Sequence, residues 1–550
     1  MKKEGCVVNV DPDWLWNIYE SVRGDVNDFE GKIREYVRSY AGHGVSDFVI
    51  CAFSQVSMFP TKVLTWLGEK YEQKIENGIE VDYTKLHRVK HIVDIYNAME
   101  KDPYDVAVDE ARKNGLTAWL TIRMNDHHYQ LEPTCYAHGD MYYKAKANGW
   151  FVGEASGGVG PAAFSECFDY GVEYIREKMF AYLCETLDKY DMDGLELDFQ
   201  RSLYCFDFMN QPDCYKIMTE FMQRVRAYLK KTEEKRGHKI KLGVRLCRDI
   251  EQNKAFGFDV REWVKQGLVD MVNPAPTWIS SDSGIPIAEW KKMLEGTGVE
   301  LFAGIEYNLF FPVDQSMETY KAFVVQFLDA GADKIYPYNF FRTCLRSKEN
   351  PTKEDIEGCD SSYSITCLSK EKDEFLRNVW EICKDGKTAR KGTRRHVMTY
   401  QEDDAVPNGK AGYVLHTTWF SEDDDSPSIR KAYKPLPARI QGERTFEMQT
   451  GNCAGGKTTL LLAVEKGNEP PRIEVDGAVA EFIGATKDAY LCNPVKDMAK
   501  RLWPDWEVPT GLENSEFYAY AFQAGEGNDR RVKVSGTCIL NYLEIKVEND

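Results

Sequence analysis

Apolar and polar positions over the first 385 residues follow two alternating periods. Short apolar runs read as buried strands: CVVNV (6–10), DFVICAF (47–53), TAWLTIR (117–123), GLELDF (194–199), IKLGVRL (240–246), VDMVNPA (269–275), ELFAGIEY (300–307) and DKIYPYNFF (333–341). Between most of them lie amphipathic stretches of helical spacing, among them FEGKIREYVRSYAG, YIREKMFAYLCETLDKY and METYKAFVVQFLDAG. Strand and helix in alternation predict a parallel sheet, and eight such units predict a closed (β/α)8 TIM barrel over residues 1–385. An open doubly wound sheet is the alternative, but no Gly-x-Gly-x-x-Gly turn follows the first strand. Two connections, about 54–100 and 125–168, are long enough to build or cover a pocket.

The pattern changes after residue 385. Residues 386–410, basic around KDGKTARKGTRRH, read as a linker. Residues 411–550 carry short β-like runs broken by Gly, Pro and Asp: GYVLHTTW, RTFEMQTG, KTTLLLAVEK, PRIEVDG, EFYAYAFQAG, RRVKVSG and CILNYLEIKVE. These predict an all-β, sandwich-like C-terminal domain.

The ends of the predicted strands hold the chemistry. The third strand stops in RMNDHH, which puts Arg123, Asp126 and His128 where barrels gather binding and catalytic groups. A guanidinium offers a planar fork to a carboxylate, and an imidazole beside a carboxylate is a candidate acid or base near neutral pH. The bland alternative is a polar loop, and metal ligation is a third reading that adjacent side chains serve poorly. At the first strand, Asn9 and Asp11 share one face and Val8 and Val10 the other, so Asp11 can enter the pocket; Asp11 or Asp13 can equally cap a turn.

On the fourth strand Glu196 and Asp198 face one side, with Arg201 as the nearest partner in sequence. They serve either the ligand or as a carboxylate ladder behind the arginines. This strand resembles the Asp-Gly-x-Asp-x-Asp-x-Glu segment of family 18 chitinases, except that Gln200 stands where the acid would be, and an amide cannot donate that proton. The eighth strand ends in YPYNFF, where Asn339 between aromatic residues, Tyr338 among them, suits sugar recognition.

Composition narrows the partners. A hydrophobic fraction of 43% indicates a globular chain, while a net charge of −18 argues against nucleic acid or anionic membranes as partners. No run approaches the length of a membrane span and no secretory leader is visible, so the sequence as written reads as cytoplasmic. The 15 cysteines are scattered and include no Cys-x-x-Cys pair, which reads as buried reduced thiols. GNCAGGKT (451–458) matches a P-loop pattern but sits in an all-β context, where a hairpin turn is the better reading. SSDSG (280–284) matches half of a sialidase Asp-box once, whereas a propeller needs repeats.

Together, Arg123, Asp126, His128, Arg201, Asn339 and an Asp ending strand one resemble glycoside hydrolase family 156, inverting exo-sialidases on a (β/α)8 barrel. The resemblance covers about residues 5–385. It implies that Arg123, Arg201 and Asn339 bind the sialic acid carboxylate, that Asp11 (Asp13 the alternative) and His128 form the acid/base pair, and that Asp126 orients the imidazole. Glu196, Asp198 and Tyr338 would line the ligand. No cofactor or metal is expected, and the partner is a sialylated glycan. Uronic or neutral sugars, or a barrel that binds glycans without turnover, are the alternatives. Retention through a tyrosine nucleophile, with Tyr129, Tyr336 and Tyr338 as candidates, is the mechanistic alternative. Oligomeric state is left open, a homodimer included.

Overall fold

The computed structural model describes residues 4–126, 134–153, 166–207, 211, 213–276, 281–306, 308–310, 313–343, 345, 370–399, 435–495 and 512–549. All eight expected barrel strands form: β1 (Cys6–Val10), β2 (Val45–Ser54), β3 (Thr117–Arg123), β4 (Gly194–Asp198), β5 (Lys241–Leu246), β6 (Met271–Pro274), β7 (Glu300–Ile305) and β8 (Lys334–Pro337). They pair in parallel, each with the next, from β1 round to β8. Side-chain links close the ring: the Asn339 backbone N–H donates to Asn9 Oδ1 at 2.9 Å, and Lys334 on β8 pairs with Asp47 on β2.

Helices cover the outside of the barrel. They include α1 (Trp14–Ser21), α2 (Phe29–Arg38), α3 (Pro103–Lys113), α4 (Glu173–Lys189), α5 (Cys214–Arg236), α6 (Ile287–Leu294), α7 (Met317–Asp329) and α8 (Lys370–Cys383). Strand parity divides the chain into an outer and an inner core. Val8 and Val10 face outward to the large cluster packed under the helices. Val7, Val49, Trp119, Met271, Phe302, Tyr336 and Tyr338 form a separate cluster inside the barrel. Residues two positions on from these inner ones therefore also point inward, toward the carboxyl ends of the strands.

Trp119 fills the lower interior, its indole N–H donating to Asp47 at 3.0 Å. Glycines on the next two staves make room for it. A Cβ on Gly194 would stand 2.2 Å from the indole, and one on Gly243 3.1 Å from it. The volume of the ring thus dictates Gly rather than the β-branched residues strands otherwise favour.

The C-terminal part is antiparallel: β9 (Gly392–Val397), β10 (Ala438–Gln449), β11 (Lys457–Glu465), β12 (Arg472–Val475), β13 (Glu481–Ala485), β14 (Ser515–Phe522) and β15 (Asp529–Asn549). Two expectations change here. The stretch read as a linker over 386–410 contains β9, which pairs with β15 along its whole length. RRVKVSG and CILNYLEIKVE, read as two strands, are one: β15 runs 21 residues, with Gly536 at φ 146° carrying the chain through the expected break. Its first half pairs with β10 and β12 and its second with β9 and β11, so one strand serves both groups. The expected strand GYVLHTTW lies outside the described residues.

Arg395 on β9 joins this domain to the barrel. It pairs with Glu318 of α7, with Asp488 at 2.8 Å and with the buried Glu544 of β15 at 2.7 Å. Among the described residues no helix is long and apolar enough to cross a membrane.

Gly194→Ala should cost roughly 1–3 kcal/mol, because a rigid indole fixed by Asp47 cannot yield to the added methyl. Urea denaturation of the two proteins measures this, and equal midpoints would contradict the packing account.

Candidate active site

Register builds the site row by row. Arg123 on β3 lies opposite Asp198 on β4, Asp198 opposite Arg245 on β5, and Arg245 opposite Asn273 on β6. One layer below, Thr121, Glu196 and Gly243 align in the same way. An inward row of alternating charge therefore crosses three adjacent staves near their carboxyl ends. All three charged members are at least 97% buried.

Each arginine is engaged. Arg123 donates from Nη2 to Asp11 Oδ1 at 2.7 Å and from Nη1 to Asp126 Oδ2 at 3.0 Å. Ser54 at the end of β2 donates to that same Asp126 oxygen at 2.7 Å. Arg201 approaches Asp126 from the other side, its Nε 3.8 Å from Oδ1. The two guanidiniums foreseen from sequence thus meet, and the anion between them is a carboxylate of the chain itself. Arg245 donates to both oxygens of Asp198, at 3.1 and 3.3 Å, with its Cζ 3.7 Å over the Tyr338 ring.

Asp198 also accepts the backbone N–H groups of Gln200 and Arg201, at 3.0 and 3.1 Å. This corrects the local pairing: Arg201 gives Asp198 only its backbone, and the ion-pair partner comes from the next strand. Three donors thus converge on Asp198, with Arg245 Nη1 reaching both of its oxygens. Glu196 is different. It is fully buried beside the Asp198 charge, with Tyr336 donating at 3.3 Å, and desolvation followed by that charge pushes its pKa up to about 7.

Asp13 stands at the start of α1 without making a side-chain cap bond, so the capping role does not materialise. It is half-buried, and desolvation followed by the neighbouring Asp11 carboxylate raises its pKa to about 7. Tyr338 is not an exposed platform: it lies buried, its hydroxyl 3.4 Å from Asp198 Oδ2. Asn339 adopts the left-handed conformation at φ 67°, which asparagine tolerates better than most residues. Its amide donates to Glu306 Oε2 at 3.3 Å. His128, together with Tyr129, lies outside the described residues.

Two inward groups, Arg245 and Glu306, escaped the sequence reading. Both had a visible signal: a second charge after Lys241 in KLGVRL and a second after Glu300 closing ELFAGIE, each in phase with the interior face. Glu306 follows β7 two positions after Gly304 and four after the interior Phe302. It has no exposed surface, and burial raises its pKa to about 8 despite the opposing influence of Arg245 and Arg201.

The GNCAGGKT segment leads into a strand of the antiparallel sheet. The Asn452 backbone N–H donates to the Asp329 carboxylate at 2.7 Å, and Lys457 begins β11. Among the described residues no cluster of three or more His, Cys, Asp or Glu is placed to hold a metal ion.

No protein-family model and no curated protein matches the chain. Among solved structures it is similar to an α-amylase from Anoxybacillus, at 12% identity over 95% of this chain and 98% of that one, with a TM-score of 0.37. It is also similar to a GH36 α-galactosidase from Geobacillus stearothermophilus (10% identity, 99% and 56% covered, TM-score 0.33). A cycloisomaltooligosaccharide glucanotransferase from Paenibacillus gives 8% identity, 99% and 57% covered, and a TM-score of 0.33. The chain spans a little over half the length of the last two. At these scores the likeness assigns no substrate and no residue role.

The raised pKa of Glu306 links stability to pH. Stability from its neutral form is complete below the ordinary pKa of 4.5 and is lost as the pH climbs toward about 8, where the folded protein too must ionise it. Glu306→Gln, which cannot ionise, should therefore gain stability relative to the parent between pH 5 and 8. Denaturation series at several pH values check this; parallel curves would contradict it.

Proposed function

We propose that the chain is a glycoside hydrolase working at the carboxyl ends of the barrel strands. The observation that carries this reading is the meeting of Asp11, Asp126, Arg123 and Arg201, from the ends of three different staves, in one charged mouth. Glycoside cleavage needs a proton for the leaving oxygen and a base for water on the opposite face of the ring. Asp11, a quarter exposed and gripped by Arg123, suits one of these tasks. By the resemblance to family 156, His128 takes the other and Asp126 orients it.

The substrate we favour is a terminal α-linked sialic acid, hydrolysed with inversion. Its carboxylate sits on the anomeric carbon, and two guanidiniums that already converge on the Asp126 carboxylate offer the geometry such a group requires. Binding would then require that carboxylate to share or replace the Asp126 contact. A tyrosine nucleophile is disfavoured for Tyr336 and Tyr338: burial drives both phenols well above their ordinary pKa, so the phenolate is suppressed.

One observation favours a second reading. Both terminal nitrogens of Arg123 are already committed to carboxylates, and Asp11, Asp126 and Asp198 balance the three arginines in charge. A neutral sugar would meet no surplus charge there.

Purified protein should release free sialic acid from an aryl α-sialoside without added metal, with the β-anomer as first product by proton NMR. His128→Ala should abolish turnover, and Arg201→Ala should lower kcat/KM by about 100-fold or more, as expected for loss of a charged contact of about 3 kcal/mol. An α-anomer as first product would contradict inversion. Cleavage of neutral aryl glycosides alone would select the second reading.

A further inference from the structure

Arg245 faces two carboxyl groups that are treated very differently. Asp198 receives two backbone N–H bonds and two contacts from Nη1. Among the described residues Glu306 receives only the Asn339 amide at 3.3 Å and stands 3.6 Å from Arg245 Nη2, and its Oε1 has no hydrogen-bond partner there. A fully buried carboxylate so poorly supplied with donors holds its charge at a high cost, and the neutral acid is the form this environment suits.

Its placement gives that proton a consequence. The charged groups facing Glu306 are Arg245 from β5, Arg201 after β4 and Asp11 after β1, with the Asn339 amide from the end of β8. The glutamate backbone is held from the loop side by Ser281 Oγ, which accepts its N–H at 3.1 Å, and by Gln315, which donates to its carbonyl. These anchors fix the backbone from which the carboxyl projects.

Resting on the reading of the substrate as an acidic sugar, we propose that Glu306 is a proton-bearing specificity residue of the mouth. As the neutral acid it adds no negative charge near Arg201, where a carboxylate of the sugar would enter, and as the anion it opposes that carboxylate. Binding of the acidic sugar is then coupled to a proton. If Glu306 is ionised beforehand, it takes one proton from solvent as the ligand anion enters, because two like charges in one buried mouth oppose each other. The O–H bond formed in that step is the only covalent change.

The test is the pH dependence of KM for an aryl α-sialoside between pH 6 and 10, measured on the full chain. The parent protein should show a constant KM up to about pH 8 and then a rise of about tenfold per pH unit. Glu306→Gln should remove that rise. An identical rise in both proteins would overturn the inference while leaving the hydrolase reading intact. Independently of the variant, calorimetry of free sialic acid binding at pH 8, in two buffers of different ionisation enthalpy, should reveal net proton uptake; none would overturn the inference. If the parent protein neither cleaves nor binds an acidic sugar, the substrate reading falls and the inference falls with it.

Discussion

Buried charge inside the barrel is the constraint on which the site depends. Arg123, Asp198 and Arg245 lie in one hydrogen-bonded row with almost no exposure. Such a row is tolerable only if each member is matched by its neighbours, since an isolated charge there would cost several kcal/mol. Parallel register matches Arg245 to Asp198 on the adjacent stave, and Arg123 is matched by Asp11 and Asp126. The Asp11 and Asp126 carboxylates then extend the same alternation to the rim.

Beneath that row the barrel is filled by aromatic bulk. Trp119, Phe302 and Tyr336 occupy the interior, and Gly194 and Gly243 yield the space. The Lys334–Asp47 pair lies on the amino side of this layer and the row of Arg123, Asp198 and Arg245 on its carboxyl side. Packing and chemistry thus share one parity: the face that buries Val7 also presents Asn9 and Asp11, and the face that buries Phe302 also presents Glu306.

The architecture was legible because strands buried on both sides leave near-continuous apolar runs, and all eight appear where those runs lie. Local chemistry was legible too, wherever several polar residues cluster just past a strand, as at Arg123 to Asp126. What could not be read was pairing across strands. Asp198 was matched with Arg201, three residues away, because sequence displays neighbours and not register; its true partner is 47 residues distant on β5. Arg245 and Glu306 went unnoticed because one charge inside an apolar run is outweighed by the apolar residues around it. In β15 the opposite happened: a serine-glycine pair suggested a turn, whereas the long ladders on either side hold the strand extended.

The central claim is that Arg123 and Arg201 hold a carboxylate of the substrate in the place their geometry prepares. A crystal structure of the protein soaked in free sialic acid tests this most directly. The sugar carboxylate should lie within hydrogen-bond reach of both guanidiniums, with Asp126 yielding part of its contact and the anomeric carbon turned toward Asp11. A sugar bound elsewhere, or one whose carboxylate points to solvent while the Asp126 pairs stay intact, would contradict it.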